Sequence, residues 1–475
     1  MNTILNSINP KNKEIIIYGA GGVARDLIVL LRSLESGLKL SVAVSNLEGN
    51  PKEILGIPVI SLDSLSAADY EYMIIIATMP GIARGIEKNL KEKGFTNIHH
   101  IEELLDSLYE EIWKDPIDNH KAVFSHFGGI GYGGNGKYVS EELKKYSEKI
   151  DVVWGVKGRS EKKQDGIRFV EYGTYEYYRE LGTARIWFDD QHKNYLSRKR
   201  DGQIYIQTWH GVGPIKKIEH DADNISSSYL ELCDYNSDIE DYFVSASGFN
   251  SEQYRRAFHY YGEIIECGYP RNDILVNGRF DASRVRTAFD IADNKKVVLY
   301  APTFREGDEV HRPDLKRITG TLAKRFGGEY VVLVRLHPND KLTDDISFDD
   351  DIIDATGYPD VQELLCLADV LVTDYSSIMW DFSLQKKPVF LYHPNDRRYQ
   401  EERGNYLRFS QMPYIEATDD EDLQDKICNF DFSAYREELE KFFTEYVSFD
   451  KGNAAAELSG MITDIISEKT SKCPT

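Results

Sequence analysis

Histidines, arginines, lysines and paired hydroxyls gather at the ends of apolar runs in this chain of 475 residues. The stretch YIQTWHGVGPIKKI, residues 205–218, sets Trp209 and His210 where a buried run breaks into glycines and a proline, with Lys216 and Lys217 just beyond. Four further stretches end in related chemistry: GYPRND with Arg271, Asn272 and Asp273, APTFR with Thr303 and Arg305, RLHP with Arg335 and His337, and TDYSS with Asp374, Ser376 and Ser377. Guanidinium groups fork onto phosphate oxygens, and ammonium groups supply point charges. Hydroxyls at a helix start can face an anion together with free backbone N–H groups. These groups share a preference for phosphate. Each alone has a plainer reading: His337 as a turn residue before proline, Ser376 or Asp374 as a helix cap, Arg305 as the partner of a surface carboxylate. Their convergence on one predicted edge favours a binding site.

The edge follows from the elements. NKKVVLYAP, EYVVLVRL and LADVLVTD are apolar throughout, as strands of a parallel sheet covered on both faces must be. IDVVWGVKG, ARIWFDD and QIYIQTWHG repeat the pattern earlier, in alternation with helices. Two consecutive doubly wound units, expected over 120–280 and 285–470, place a cleft between their strand C-terminal ends. Upstream, 1–110 reads as a small Rossmann-like unit, which resembles the small domain preceding some sugar acyltransferases. Its opening KEIIIYGAGGVARDLIVLLRSL is strand, glycine turn and helix. Gly19, Gly21 and Ala24 give the G-x-G-x-x-A form of the dinucleotide fingerprint, and Gly19, Gly21 and Gly22 form its candidate nucleotide loop. The acidic residue that should follow about 20 positions on to hold a ribose is replaced by VSNLEGN, which disfavours NAD. Glycines needed only for the turn are an equal reading.

Composition narrows the partners. Against 57 basic residues stand 79 acidic ones, a net charge of −22, so the whole-molecule field repels nucleic acid and anionic lipid. An anionic substrate must be held by a local cluster of donors. Five cysteines without any metal-binding spacing point to a reducing compartment and no structural zinc. The N-terminus lacks the apolar core of a signal peptide, and no apolar run approaches the ~20 residues that cross a bilayer. A cytoplasmic protein, peripheral to the membrane at most, is expected. The acidic tract DDISFDDDIIDAT reads as solvated surface, and neither a metal nor a cofactor is expected.

Taken in order, QTWHGVGPIKKI, GYPRND, YAPTFRE, RLHP and VTDYSSIMWDFSLQKKPVFLY resemble the CDP-glycerol glycerophosphotransferase family, the polymerases and primases of teichoic acids and related bacterial capsules. The resemblance runs from about Val123 to Phe443. It implies an α/β fold in which a GT-B-like pair of doubly wound Rossmann-type domains follows the small N-terminal one. It implies transfer of glycerol phosphate or ribitol phosphate from a CDP donor to a hydroxyl of a membrane-linked glycan or teichoic acid, with CMP leaving. The family's two essential histidines fall on His210 and His337, and His210 can take the acceptor's proton at neutral pH. Lys216, Lys217, Thr303, Arg305, Arg335, Ser376 and Ser377 are the expected phosphate contacts. Arg271, Asn272, Asp273 and Asp374 are left for nucleotide or polyol. One departure is visible: the family's usual WHGTPLKKI reads WHGVGPIKKI here, one residue longer and without the threonine. A nucleotide-sugar glycosyltransferase on the same fold is the first rival, but Asp374 and Asp381 form no E-x-x-x-E arrangement. A non-catalytic nucleotide- or polymer-binding protein is the second, and it would not need both histidines.

Overall fold

Runs of isoleucine and valine with no exposed face nucleate three sheets in this computed structural model, which describes residues 14–66, 72–158, 164–211, 216–303, 312–336, 346–394 and 404–468. The first sheet comprises β1 (Glu14–Tyr18), β2 (Leu40–Val44), β3 (Glu53–Ile54), β4 (Ile57–Ser61), β5 (Tyr72–Ile76) and β6 (Ile98–His100), in the spatial order β3-β4-β2-β1-β5-β6. All its pairings are parallel except β3 with β4. The second sheet holds β7 (Asp118–Ser125), β8 (Asp151–Val156), β9 (Ile167–Glu171), β10 (Ala184–Asp189), β11 (Ile204–Gln207), β12 (Tyr242–Val244) and β13 (Glu263–Ile265), ordered β13-β12-β11-β10-β7-β8-β9. The third is built from β14 (Lys295–Tyr300), β15 (Glu329–Val334), β16 (Ile352–Asp354), β17 (Val370–Thr373), β18 (Val389–Tyr392) and β19 (Ile415–Ala417), ordered β16-β15-β14-β17-β18-β19. Both are wholly parallel. This is the expected GT-B-like pair of doubly wound units behind a smaller Rossmann-like one.

Each order reverses once: between β1 and β5, between β10 and β7, and between β14 and β17. At such a reversal the helices leave on opposite faces and open a crevice at the strand C-terminal ends. The side-chain period of two sends alternate residues of β7 into different cores. Ala122 and Phe124 join the core shared with the third unit, whereas Val123 joins the one shared with the first. Hydrogen bonds reinforce the second contact: the Tyr109 hydroxyl donates to the Leu196 carbonyl at 3.0 Å, and the Tyr175 N–H donates to Ser33 Oγ at 2.8 Å.

The chain end crosses back. Helix Ala454–Glu468 packs on helix Gly134–Tyr146 of the second unit, with Ser459 Oγ donating to the Val139 carbonyl at 3.2 Å. Its first free N–H groups, those of Ala454 and Ala455, are taken by the Asp273 carboxylate at 3.0 and 2.8 Å. An acid at a helix start satisfies otherwise orphaned donors and complements the dipole. No described helix is long and apolar enough to cross a membrane.

Candidate active site

The second sheet's reversal ends in two aspartates. Asp189, fully buried, is paired with the equally buried Lys193 and accepts from Ser125 Oγ. The Lys193 ammonium also donates to Ser125 Oγ at 2.9 Å and to the Tyr177 hydroxyl at 2.8 Å. Burial works against that charge, yet Asp189 and the Tyr177 hydroxyl together outweigh it and raise the lysine's pKa. Asp189 Oδ1 then accepts the Asp190 N–H at 3.0 Å, which fixes the next residue's direction.

Asp190 organises two histidines. Its carboxylate accepts from His126 Nδ1 and from the Phe127 N–H, the latter at 3.0 Å. Its carbonyl lies 2.7 Å from His210 Nδ1. A carbonyl can only accept, so His210 carries its proton on Nδ1 and leaves Nε2 with a free lone pair. The ring sits between Trp209 and Phe127, with centroids 4.2 and 4.4 Å away. Burial in this aromatic setting pushes its pKa down to about 4. His126 behaves oppositely: burial disfavours its charge, but the Asp190 carboxylate prevails and the pKa rises. Gly134, at φ +61°, is what lets the backbone pass, since a Cβ there would fall 2.6 Å from His126 Nδ1. Trp209 turns at φ +55°, an uncommon conformation for a bulky residue. It is held there by its own N–H donating to Gln207 Oε1 at 2.9 Å and by packing against Phe258. The tryptophan therefore wedges the loop.

Both histidines line a cavity of about 260 Å³ between the second and third units. The opposite wall carries Arg335, Ser376 and Ser377, with Arg271 and Asp360 beside them. Arg335 follows β15 and is steadied by its Nη1 donating to the Tyr358 carbonyl at 2.6 Å. Ser377 approaches the His210 loop closely, its hydroxyl 3.9 Å from where a Cβ on Gly211 would stand. Arg271 clamps the units together: one nitrogen donates to the His210 carbonyl at 2.7 Å, another pairs with Asp381 at 2.9 Å.

Other expected contacts fall elsewhere. Asn272 is fully buried, donating to Asp381 and Asp450 and accepting from Gln362 at 2.8 Å, while Asp273 caps the final helix. Neither lines the cavity. Asp374 accepts from the Thr303 N–H at 2.8 Å and from its hydroxyl at 2.9 Å, so both shape the loop at the β14/β17 reversal. Lys216 pairs with Asn405 and the Lys217 N–H donates to the Gly404 carbonyl at 3.1 Å, which carries the lysine pair to the third unit's side. Arg305, His337 and Gly213 lie outside the described residues. In the first unit Gly19, at φ +122°, passes within reach of β5, where a Cβ would meet the Ala77 carbonyl oxygen at 3.0 Å. Around Gly21 and Gly22 there is open space. The neighbouring helix Pro80–Glu92 already has its Gly81 N–H donating to Glu231, at 3.1 Å. Sequence reasoning missed His126, Asp190 and Asp360. The signal for the first two was present in HFGG and WFDD, at the C-terminal ends of two buried strands.

Comparison with known proteins converges on one group. The signature described as CDP-glycerol:poly(glycerophosphate) glycerophosphotransferase matches residues 107–464. A teichoic acid poly(glycerol phosphate) polymerase of Staphylococcus epidermidis is 31% identical over 384 residues, 76% of this chain and 53% of that one. A teichoic acid glycerol-phosphate transferase of Staphylococcus aureus is 30% identical over 352 residues, covering 70% of this chain and 90% of its own. A teichoic acid ribitol-phosphate primase of Bacillus spizizenii shares 27% over 308 residues, 60% and 76% of the two chains. Among solved structures, the wall teichoic acid polymerase TagF superposes with a TM-score of 0.69 at 28% identity, over 82% of this chain and 97% of that one. The chain thus spans about half the length of the Staphylococcus epidermidis polymerase.

Proposed function

Because the chain belongs to the CDP-glycerol:poly(glycerophosphate) glycerophosphotransferase family, we propose that it moves a polyol phosphate from a CDP-activated donor to a hydroxyl of a teichoic acid or lipid-linked glycan acceptor. The observation that carries this reading is His210, anchored through Nδ1 with its Nε2 lone pair available at a cavity walled by arginine and serine. The acceptor hydroxyl oxygen attacks the phosphorus that bears the polyol. A new P–O bond forms, the bond to the CMP phosphate breaks, and CMP leaves with that electron pair. His210 Nε2 takes the hydroxyl proton as the bond forms. Arg335 and His126, whose pKa the Asp190 carboxylate raises, face the charge on the transferred phosphate, and Ser376 and Ser377 offer hydroxyls to it. Such chemistry is mostly positioning and charge stabilisation, which is what fixed groups in a shielded cavity supply.

The cargo is glycerol phosphate or ribitol phosphate, since glycerol-phosphate enzymes at 25–31% identity and ribitol-phosphate enzymes at 25–27% both resemble this chain. A lipid-linked acceptor would bring the protein to the membrane surface as a peripheral visitor. The test is CMP release from CDP-glycerol, CDP-ribitol and a panel of UDP-sugars, with and without lipid-linked acceptor. One CDP-polyol is expected to turn over, and His210→Ala to lose ~10²–10⁴-fold in kcat, as removal of a general base does. Turnover of a UDP-sugar alone, or an undiminished His210→Ala enzyme, overturns the proposal.

A further inference from the structure

Behind Trp209, away from the cavity, three ligand-type side chains from separate elements converge in the interior. His192 follows β10, Glu219 opens a short turn after the His210 loop, and Cys233 lies on helix Ser227–Ile239. Their ligand atoms all lie within 4.8 Å of one another. All three are buried: Cys233 is fully enclosed and Glu219 is 4% exposed. Neither ring nitrogen of His192 has a hydrogen-bond partner, and neither does Glu219 Oε2. Buried polar atoms are satisfied in all but a few cases, so three orphans on two neighbouring side chains require a reason.

The spacing supplies one. His192 Nε2 and Glu219 Oε2 stand 3.4 Å apart, at ion-pair distance but without hydrogen-bond geometry. Ligands bound at ~2.0–2.3 Å to a tetrahedral ion are separated by ~3.3–3.8 Å along each edge. Charge is compatible with this. A neutral imidazole, a carboxylate and a thiolate around a divalent cation sum to zero. Glu219 is also oriented by the Tyr229 hydroxyl, which donates to its other oxygen at 3.0 Å, the outer support that metal ligands commonly have. We propose that His192, Glu219 and Cys233 bind a thiophilic divalent cation, zinc by ligand type, with water as the fourth ligand. Spacing in sequence could not show it, because the ligands are scattered over 192–233 on three elements.

None of the three ligands lines the cavity. The His192 ring packs 5.2 Å from Trp209, the residue that holds the His210 loop in its left-handed turn. A cation there would brace the loop from behind without reaching the substrate.

Untagged, full-length protein purified without added metal is to be assayed by elemental analysis, then depleted and reloaded with cobalt. We expect ~1 equivalent of zinc per chain in the wild type. With cobalt we expect a thiolate-to-cobalt charge-transfer band, and for zinc re-addition an upward shift in Tm of the depleted protein. Cys233→Ser should abolish the band and His192→Gln the stoichiometric zinc. A surface group, His220, Asp234 and His259, is the other such cluster among the described residues, so His259→Ala is the control and must leave the zinc and the band unchanged. Zinc lost through His259→Ala but kept in His192→Gln, or a wild type with no equivalent metal and no band, overturns the assignment.

Discussion

His210 and His126 are tuned in opposite directions by one residue's two ends. The Asp190 carbonyl holds His210 Nδ1, while burial keeps that ring neutral, with its pKa pushed down to about 4. The Asp190 carboxylate holds His126 Nδ1 and, against burial, raises that ring's pKa. Groups pushed apart in this way take separate acid and base roles. The base form of His210 is lost only as pH falls through about 4, whereas an ordinary histidine would lose it below ~6.5. The charge on His126 is lost as pH rises through a value above its ordinary one. The profile of kcat/KM should therefore be a bell, with an acidic limb near pH 4 and an alkaline limb above ~6.5. His126→Gln should lower activity and remove the alkaline limb. A wild-type acidic limb centred near 6.5 would contradict the tuning. His210 was legible in the sequence because a histidine between an apolar run and paired glycines has few structural uses. Asp190 was not, since its role rests on a backbone carbonyl as much as on its side chain.

Elements place these groups, and the elements rest on buried charge. The β10 end keeps its shape through the Lys193–Asp189 pair, enclosed without solvent. Replacing Lys193 by Met should leave Asp189 uncompensated and cost about 3–5 kcal/mol. Replacing Asp189 by Asn in the same protein should recover part of that, which paired thermal and denaturant melts would show. A single mutant as stable as wild type would mean the pair is dispensable. At the unit boundary, Lys137 pairs with Asp360, and the Tyr138 hydroxyl donates to the same carboxylate at 2.9 Å. Asp360 lines the cavity, so Lys137→Met should free its negative charge toward an anionic donor and raise KM more than it lowers kcat. The reverse pattern in steady-state kinetics would place Lys137 outside donor binding. The strands were readable because runs such as KKVVLY and LSVAV have one structural meaning. What GYPRND does was not: Asn272 and Asp273 look like ligands for a nucleotide, but they bind other parts of the protein across separations of 90 to 182 residues, which no local pattern encodes.

At the scale of the whole molecule, three sheets and one returning helix decide whether the cavity exists. Helix Ala454–Glu468 follows the third unit in sequence yet buries Leu458, Ile462 and Ile466 against the shared core beside helix Gly134–Tyr146. That contact supports the glycine-led start of the latter helix, where Gly134 admits the His126–Asp190 pair. Burying each of the three aliphatic side chains contributes about 1.5–3 kcal/mol, so together they approach the whole net stability of a typical domain. Ending the chain after Asn453 should therefore yield insoluble protein, or a soluble form that melts far below wild type and neither binds nor turns over donor. Asp273→Ala removes only the cap from the same helix and should cost about 0.5–2 kcal/mol, with kcat and KM preserved. The two variants separate the alternatives. If Asp273 touched nucleotide or polyol, its alanine variant would keep its Tm and lose donor affinity. If it caps the returning helix, Tm falls while kinetics hold, because the residue acts on the molecule's closure and leaves the chemistry to His210.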